Sequence, residues 1–277
     1  MCGIAGKIDF AAPVDATVVE RMCAAMEHRG PDSLGTWGDE GVALGMRRLA
    51  IIDLVAGDQP IFNERRDVAV VMNGEIYNYQ ELRAELVARG HAFTTASDTE
   101  VLVHLYEEYG DRLVERLRGM FAFAIWDVRR QRLLLARDRV GKKPLFVARR
   151  GTTLWFASEL MALLQDPELD RVADLQSIAN YIAYGYVHHP RSAFVGVEKL
   201  PPATTLAVDA RGANQRRYWR LDYAAPPPSD DRHELEERLR ELIWEATRIR
   251  LISEVPLGAF LSGGLTRARL SQRWPIR

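Results

Sequence analysis

The sequence predicts a layered α+β fold, and two observations carry that expectation. Runs rich in β-branched and other apolar residues gather in two blocks, 42–72 and 120–157. Segments with apolar residues at helical spacing lie between and beside those blocks, at 15–27, 79–89, 98–109 and 174–184. Sheets that must bury one face against strands and the other against helices favour stacked layers.

In order along the chain, residues 3–10 read as a short strand that buries an N-terminal cysteine at its start. The helix expected at 15–27 places Val18, Val19, Met22, Cys23 and Met26 on one face, with Asp15 as its N-cap. Cys23 reads there as a small core hydrophobe. His28-Arg29-Gly30-Pro31-Asp32 is a turn-rich segment. Residues 42–54 and 67–72 are β-rich, and Asn73-Gly74-Glu75 ends the second run. Gly90 and Gly110 close the next two helices. From Gly119 the pattern returns to strands at 120–126, 133–136, 145–148 and 153–157, spaced as a meander. Pro226-Pro227-Pro228 is a linker, followed by a helix at 231–253 and a buried strand at 255–261 running into Ser262-Gly263-Gly264.

Composition narrows the class. With 277 residues, 47% of them hydrophobic, the chain can bury one large core or two modest ones. A formal net charge of −1 gives no reason to expect nucleic acid or an anionic membrane as partner. Two cysteines imply no disulfide framework, and no stretch reaches membrane-spanning length, so a reducing, cytoplasmic location is expected.

The chemistry starts at Met1-Cys2. Removal of the methionine would leave a residue carrying both a thiol and a free α-amine, a nucleophile and a base on one residue. Arg48 enters an apolar strand where a charge needs a partner, Gly74 lets a ligand approach the backbone, and Asp98 stands at a helix start. Each of these also has a plain structural reading: an ion pair for Arg48, a turn for Asn73-Gly74, an N-cap for Asp98. His188-His189 has no third ligand at familiar spacing, so no metal is expected there or elsewhere. Arg137-Asp138-Arg139 and Lys142-Lys143 read as structural or interface charges.

Met1-Cys2-Gly3-Ile4-Ala5-Gly6, the His28 to Asp32 turn, Arg48-Leu49-Ala50-Ile51-Ile52-Asp53 and Asn73-Gly74-Glu75-Ile76-Tyr77-Asn78 closely resemble the glutamine-dependent asparagine synthetase family. Ser97-Asp98-Thr99-Glu100, Arg137-Asp138-Arg139 with Gly141 and Lys143-Pro144-Leu145, Phe156-Ala157-Ser158-Glu159, and Val255-Pro256-Leu257-Gly258 to Ser262-Gly263-Gly264-Leu265 continue in family order. The resemblance implies an N-terminal-nucleophile hydrolase, a four-layer αββα sandwich of two antiparallel sheets. It divides the chain into a glutamine amidotransferase domain at 2–220, a linker at 221–230, and the start of an ATP-pyrophosphatase-type synthetase domain at 231–265. It implies that Cys2 attacks the glutamine side-chain amide and forms a glutamyl thioester. Asn73 and Gly74 match its oxyanion hole, and Arg48 the holder of the substrate carboxylate. Asp98, with Glu75, matches the holder of the substrate ammonium, and Leu49 and Ile51 line the same substrate site. Glutamine is the expected small-molecule partner, with a homodimer as in the family. No cofactor serves glutamine hydrolysis, whereas ATP and Mg serve the amidation of aspartate in the family's second domain. Another amide hydrolase of the same fold and a non-catalytic remnant are the competing readings.

The sequence departs from the family after Leu265. Leu261, Ser262, Gly263 and Gly264 match the start of its ATP-binding loop, but the expected Asp-Ser-Ser is replaced by Thr266-Arg267-Ala268, and only twelve residues follow Leu265. The 266–277 tail carries four arginines and no acidic residue. The expected cause is a frameshift: GAC-TCG-AGC without its first base would read ACT-CGA-GC, which encodes Thr-Arg-Ala. The expectation is a complete glutaminase site, a vestigial ATP site, and an apolar helix face left exposed at 231–253.

Overall fold

The computed structural model describes residues 1–258 apart from 225, 227 and 230. The ATP-loop residues Leu261, Ser262, Gly263 and Gly264 and the 266–277 tail lie outside the described residues. The chain divides into two compact units, Met1–Arg220 and Leu221–Arg277.

The first unit is built on two six-stranded antiparallel sheets. Its strands are β1 (Gly3–Asp9), β2 (Ser33–Asp39), β3 (Val42–Arg48), β4 (Ile61–Phe62), β5 (Val68–Ile76), β6 (Gly119–Asp127) and β7 (Arg132–Arg137). They continue as β8 (Phe146–Arg150), β9 (Thr153–Ala157), β10 (Val197–Lys199), β11 (Thr204–Asp209) and β12 (Gly212–Arg217). One sheet runs β10-β8-β9-β1-β3-β2 and the other β12-β11-β7-β6-β5-β4. The helices of this unit are α1 (Ala16–Ala24), α2 (Tyr79–Ala88), α3 (Val101–Tyr109), the short α4 (Leu160–Leu163) and α5 (Leu175–Tyr184).

Period-two alternation decides which way each β1 side chain faces. Ile4 and Ile8 join Leu44 and Met46 in a core shared with Val71, Ala124, Trp126 and Leu135 of the second sheet. Ala5, between them, faces the other way, into a core made with Val19, Met22, Cys23 and Met26 of α1. The outer face of the second sheet meets α3, which packs on α2. Helix, sheet, sheet and helix therefore stack in the four layers expected. Cys23 is fully buried in the α1 layer, and burial pushes its thiol up to about 12, as fits an inert core residue.

Several elements differ from the expectation. The β-rich reading of 42–54 overshoots: the strand ends at Arg48, and the chain from Leu49 to Pro60 is irregular. The Arg48 guanidinium holds the Ile52 and Asp53 carbonyls, so these apolar residues wrap a charge instead of joining a ladder. Asn73-Gly74-Glu75 is no turn: β5 runs through it, paired with β6 from Val68↔Asp127 to Ile76↔Gly119. Asp98 is not a helix cap, since α3 begins at Val101 and the Asp98 carboxylate binds elsewhere. Strands β2, β4, β10, β11 and β12 have no counterpart in the sequence expectation. Two of them, β2 and β12, form sheet edges rich in Gly and polar residues, which carry no apolar run to read.

In the second unit, α6 (Arg232–Arg248) is capped by Asp231, which accepts from His233 N. It is shorter than the expected 231–253 and buries none of its residues, leaving Leu239, Leu242 and Ile243 exposed. The strand expected at 255–261 is not formed by residues 255–258, and the remainder lies outside the described residues. No described helix is long and apolar enough to cross a membrane.

Candidate active site

Cys2 stands at the head of β1, where the start of that strand is clamped from several sides. Arg29 donates from Nε to the Cys2 carbonyl at 2.9 Å and pairs through Nη1 with Glu159 at 2.8 Å. Gly30 lets this turn lie against β3: a Cβ there would sit 2.4 Å from the Arg47 carbonyl. Asp32 N donates to the Arg48 carbonyl, and Asp32 Oδ2 accepts from Ala50 N at 2.8 Å. The His28 to Asp32 turn thus fixes the cysteine and the end of β3 together.

The cysteine thiol donates to the Leu49 carbonyl at 3.6 Å, and Leu49 N donates to Sγ at 3.4 Å. Burial pushes the thiol pKa up; the Leu49 N–H, the terminal ammonium and Lys143 pull it down, and Asp98 opposes them. The thiol in this setting needs a base to become a nucleophile.

Around Cys2 is a cavity of about 140 Å³. Arg48, Leu49, Ile51, Asn73, Gly74, Glu75 and Asp98, all singled out from the sequence, line it with Cys2. Arg48 is buried; its Nη1 pairs with Asp58 at 2.9 Å and its Nη2 donates to the Ile52 and Asp53 carbonyls. These three hydrogen bonds leave two guanidinium N–H groups unassigned and fix the plane in which they point. Gly57 is forced by the same arrangement, since a Cβ would lie 2.3 Å from Arg48 Nη2.

The opposite wall comes from β5. Gly74 lies so close to β6 that a Cβ would fall 2.4 Å from the Met120 carbonyl oxygen, and this backbone cannot give way. Asn73 is fully buried; Nδ2 donates to Ser158 Oγ at 3.4 Å, and Oδ1 has no hydrogen-bond partner. Ser158 Oγ also accepts from Ile4 N at 3.0 Å, which spends an acceptor and keeps its O–H proton. Exchanging the Asn73 amide O and N would let that O–H donate to Oδ1 and leave Nδ2, a donor, as the buried atom without a partner.

Asp98 closes the cavity. Its Oδ2 accepts from Ile76 N at 2.7 Å, tying it to the end of β5. Burial pushes its carboxyl up to about 6 from an ordinary 3.8, against the pull of backbone N–H groups and Arg48. Asp53 joins the two substrate-side loops, accepting from Ala56 N through Oδ1 and from Ala96 N through Oδ2. Gln59 braces the same wall, accepting from Met72 N at 2.6 Å and donating to Thr99 Oγ1 at 3.1 Å.

A family profile described as a glutamine amidotransferase domain matches residues 1–219. The chain belongs to that family. Asparagine synthetase [glutamine-hydrolyzing] 3 of Bacillus subtilis is 37% identical over 276 residues, covering 98% of this chain and 45% of its own length. The Zea mays asparagine synthetase [glutamine-hydrolyzing] is 36% identical over 269 residues, covering 96% of this chain and 40% of its own. This amidotransferase chain therefore spans less than half the length of these relatives. Among solved structures, the glutamine phosphoribosylpyrophosphate amidotransferase of B. subtilis superposes with a TM-score of 0.58 at 20% identity, covering 79% of this chain and 50% of that one. That likeness shows the shared fold.

Some lining residues of the amidotransferase cavity escaped the sequence reading. Lys143, expected among structural or interface charges, has a buried side chain in the cavity wall, where burial lowers its pKa and Cys2 raises it. Its neighbours Arg137 and Asp138 are instead spent on backbone: Arg137 donates to the Lys143, Leu200 and Gly141 carbonyls, and Asp138 accepts from the N–H groups of 140, 142 and 143. Ser158, which backs Asn73 from behind the lining, lies in the Phe156 to Glu159 motif with no role legible there, and Gln59 carries no sequence signal. His188 packs against the rings of Tyr184 and Tyr186, away from any carboxylate cluster among the described residues.

Proposed function

We propose that this chain hydrolyses glutamine to glutamate and ammonia through a thioester on Cys2. The observation that carries the reading is the convergence of Cys2, Arg48, Asn73, Gly74, Glu75 and Asp98 on one cavity in a glutamine amidotransferase domain. Once Met1 is removed, the Cys2 α-amine takes the thiol proton, directly or through a water, and sulfur attacks the side-chain amide carbon. Negative charge develops on the amide oxygen, and the Asn73 amide and Gly74 N–H are the donors placed to receive it. The protonated amine then gives its proton to the departing nitrogen, which leaves as ammonia. Water attacks the thioester, the amine again acting as base, and glutamate departs with the thiol restored.

The substrate's two charges choose the rest of the wall. Arg48, whose buried guanidinium lines the cavity and keeps N–H donors to spare, suits the α-carboxylate as a charged hydrogen-bond donor. Asp98, assisted by Glu75, suits the α-ammonium, whose charge would offset the cost of ionising a buried carboxyl.

The ammonia has an assigned consumer in the relatives, whose names couple glutamine hydrolysis to asparagine synthesis. We place this chain in the same role, as the ammonia-generating half of an ATP- and magnesium-dependent amidation of aspartate in the cytoplasm. The residues matching an ATP loop lie outside the described ones, and the proposal rests here on family likeness alone. The testing experiment is release of ammonia from glutamine by the purified chain, compared with the Cys2→Ala variant. Turnover with the parent and none with the variant is expected; equal turnover by both refutes the assignment.

A further inference from the structure

Away from the Cys2 cavity, four side chains from three segments converge. Helix α3 presents His104 and Glu107 one turn apart, the turn between β4 and β5 supplies Glu64, and the segment after α2 supplies His91. One ligand atom from each lies within 4.8 Å of all the others. His104 Nδ1 is 3.5 Å from Glu64 Oε2 and 3.6 Å from Glu107 Oε2. His91 Nδ1 is 3.6 Å from Glu64 Oε1 and 3.7 Å from Glu107 Oε2. A tetrahedral ion with bonds of about 2.0–2.1 Å to nitrogen and oxygen has ligand–ligand edges of roughly 3.4 Å. Three of these separations join one set of donor atoms, His91 Nδ1, His104 Nδ1, Glu64 Oε2 and Glu107 Oε2, and sit just above that edge; the His91–Glu64 approach is to the other carboxylate oxygen.

The surrounding groups orient these atoms inward. His91 Nε2 lies 3.2 Å from Glu108 Oε1, and His104 Nε2 faces Glu100 Oε1 at 3.8 Å. Carboxylates at both Nε2 positions favour the tautomers that carry the proton there, leaving both Nδ1 lone pairs aimed at the common centre. Glu107 Oε1 is held by Asn63 Nδ2 at 3.1 Å and by Arg65, which turns Oε2 toward the same centre. Glu64 Oε1 accepts from Ala92 N at 2.8 Å. His104 is fully buried, and neither of its ring nitrogens makes a hydrogen bond. Glu107 Oε2 is likewise buried without one. Buried polar atoms left unpaired and pointed at one another call for an occupant.

We infer that Glu64, His91, His104 and Glu107 hold a divalent transition-metal ion, with zinc the ion their two-imidazole, two-carboxylate set suits best. The two carboxylates neutralise the dication, and Phe93, whose ring centre is 4.4 Å from that of His104, walls one side. The site is structural: all four positions are taken by protein, so no coordination place is left for a substrate. It would clip the β4–β5 turn to α3 and to the segment that leads on to Asp98. Glu100, which faces His104, also accepts from Thr94 N and Thr95 N in that segment at 2.7 Å each.

The test is zinc binding by the full chain carrying Cys2→Ala, which removes the cavity thiol as a competing ligand. After chelator treatment, the protein is titrated with Zn²⁺ against a chromogenic chelator. One equivalent should bind, and His91→Gln and His104→Gln should each weaken it at least a hundredfold. Zinc should raise the melting temperature of the parent and not of the variants. The zinc absorption edge should show about four nitrogen and oxygen neighbours. If the buried His104→Gln fails to fold, the more accessible His91→Gln decides alone. No stoichiometric binding, binding unchanged by the variants, or sulfur in the first shell overturns the site. Doubly protonated His91 and His104 rings by nitrogen NMR in zinc-saturated protein would do the same, marking an ion-pair cluster instead.

Discussion

Asp98 offers the sharpest quantitative handle on the cavity. Raising its pKa from 3.8 to about 6 makes ionising it in the empty cavity about 3 kcal/mol harder than in water. If the ionised form is what holds the substrate ammonium, glutamine binding must carry Asp98 through that ionisation. With a value near 6, only about a tenth of the empty protein is in the binding form at pH 5, and nearly all of it at pH 8. Glutamine should therefore bind about tenfold more weakly at pH 5 than at pH 8, since its own two charges do not change across that range. The assay is calorimetric titration of glutamine into the Cys2→Ala variant, which removes chemistry and leaves the pocket. Adding Asp98→Asn should weaken binding at pH 8 and flatten the pH dependence. Stability gives an independent check of sign. Between about 4 and 6 the native state binds more protons at Asp98 than the unfolded state, so its contribution must fall as pH rises through that window. Asp98→Asn, which can still accept from Ile76 N, should remove that loss. Binding that is flat from pH 5 to 8 with Asp98 intact would refute the reasoning.

Other outcomes follow from the same geometry. Gly74→Ala forces a Cβ against the Met120 carbonyl and should cost about 1–3 kcal/mol in chemical denaturation, with glutaminase turnover lost; an unperturbed, active variant contradicts the close β5–β6 approach. Ser158→Ala removes the group that orients Asn73 and should lower kcat roughly tenfold with KM little changed; a change confined to KM would assign Ser158 to substrate binding instead. Lys143→Gln removes a charge that favours the Cys2 thiolate, so the midpoint for alkylating Cys2 should move to higher pH; an unmoved midpoint would return Lys143 to a purely structural role.

The layers of this fold were legible in the sequence because its buried strands are long apolar runs and its first helices have clean apolar faces. Failures occurred where a polar group reorganised the backbone. Ala50 to Leu54 looks like strand continuation but is bent around the Arg48 guanidinium, a contact no local pattern encodes. Asn73-Gly74-Glu75 has turn composition, yet the glycine is there so that two strands can approach. The first-wall residues of the cavity were reached through motifs at strand ends. Gln59 and Lys143 were not, because their roles depend on which segments the fold brings beside them. The Glu64–His91–His104–Glu107 cluster is the extreme case, since its members come from three segments with no short spacing between most of them.

The measurement that bears most directly on the central claim is intact-protein and peptide mass spectrometry after reaction with a glutamine-analogue electrophile. The account predicts that Met1 is absent, that one adduct forms, and that it maps to Cys2 and disappears in Cys2→Ala. An adduct on Cys23, or full glutaminase turnover by a chain that retains Met1, would contradict it.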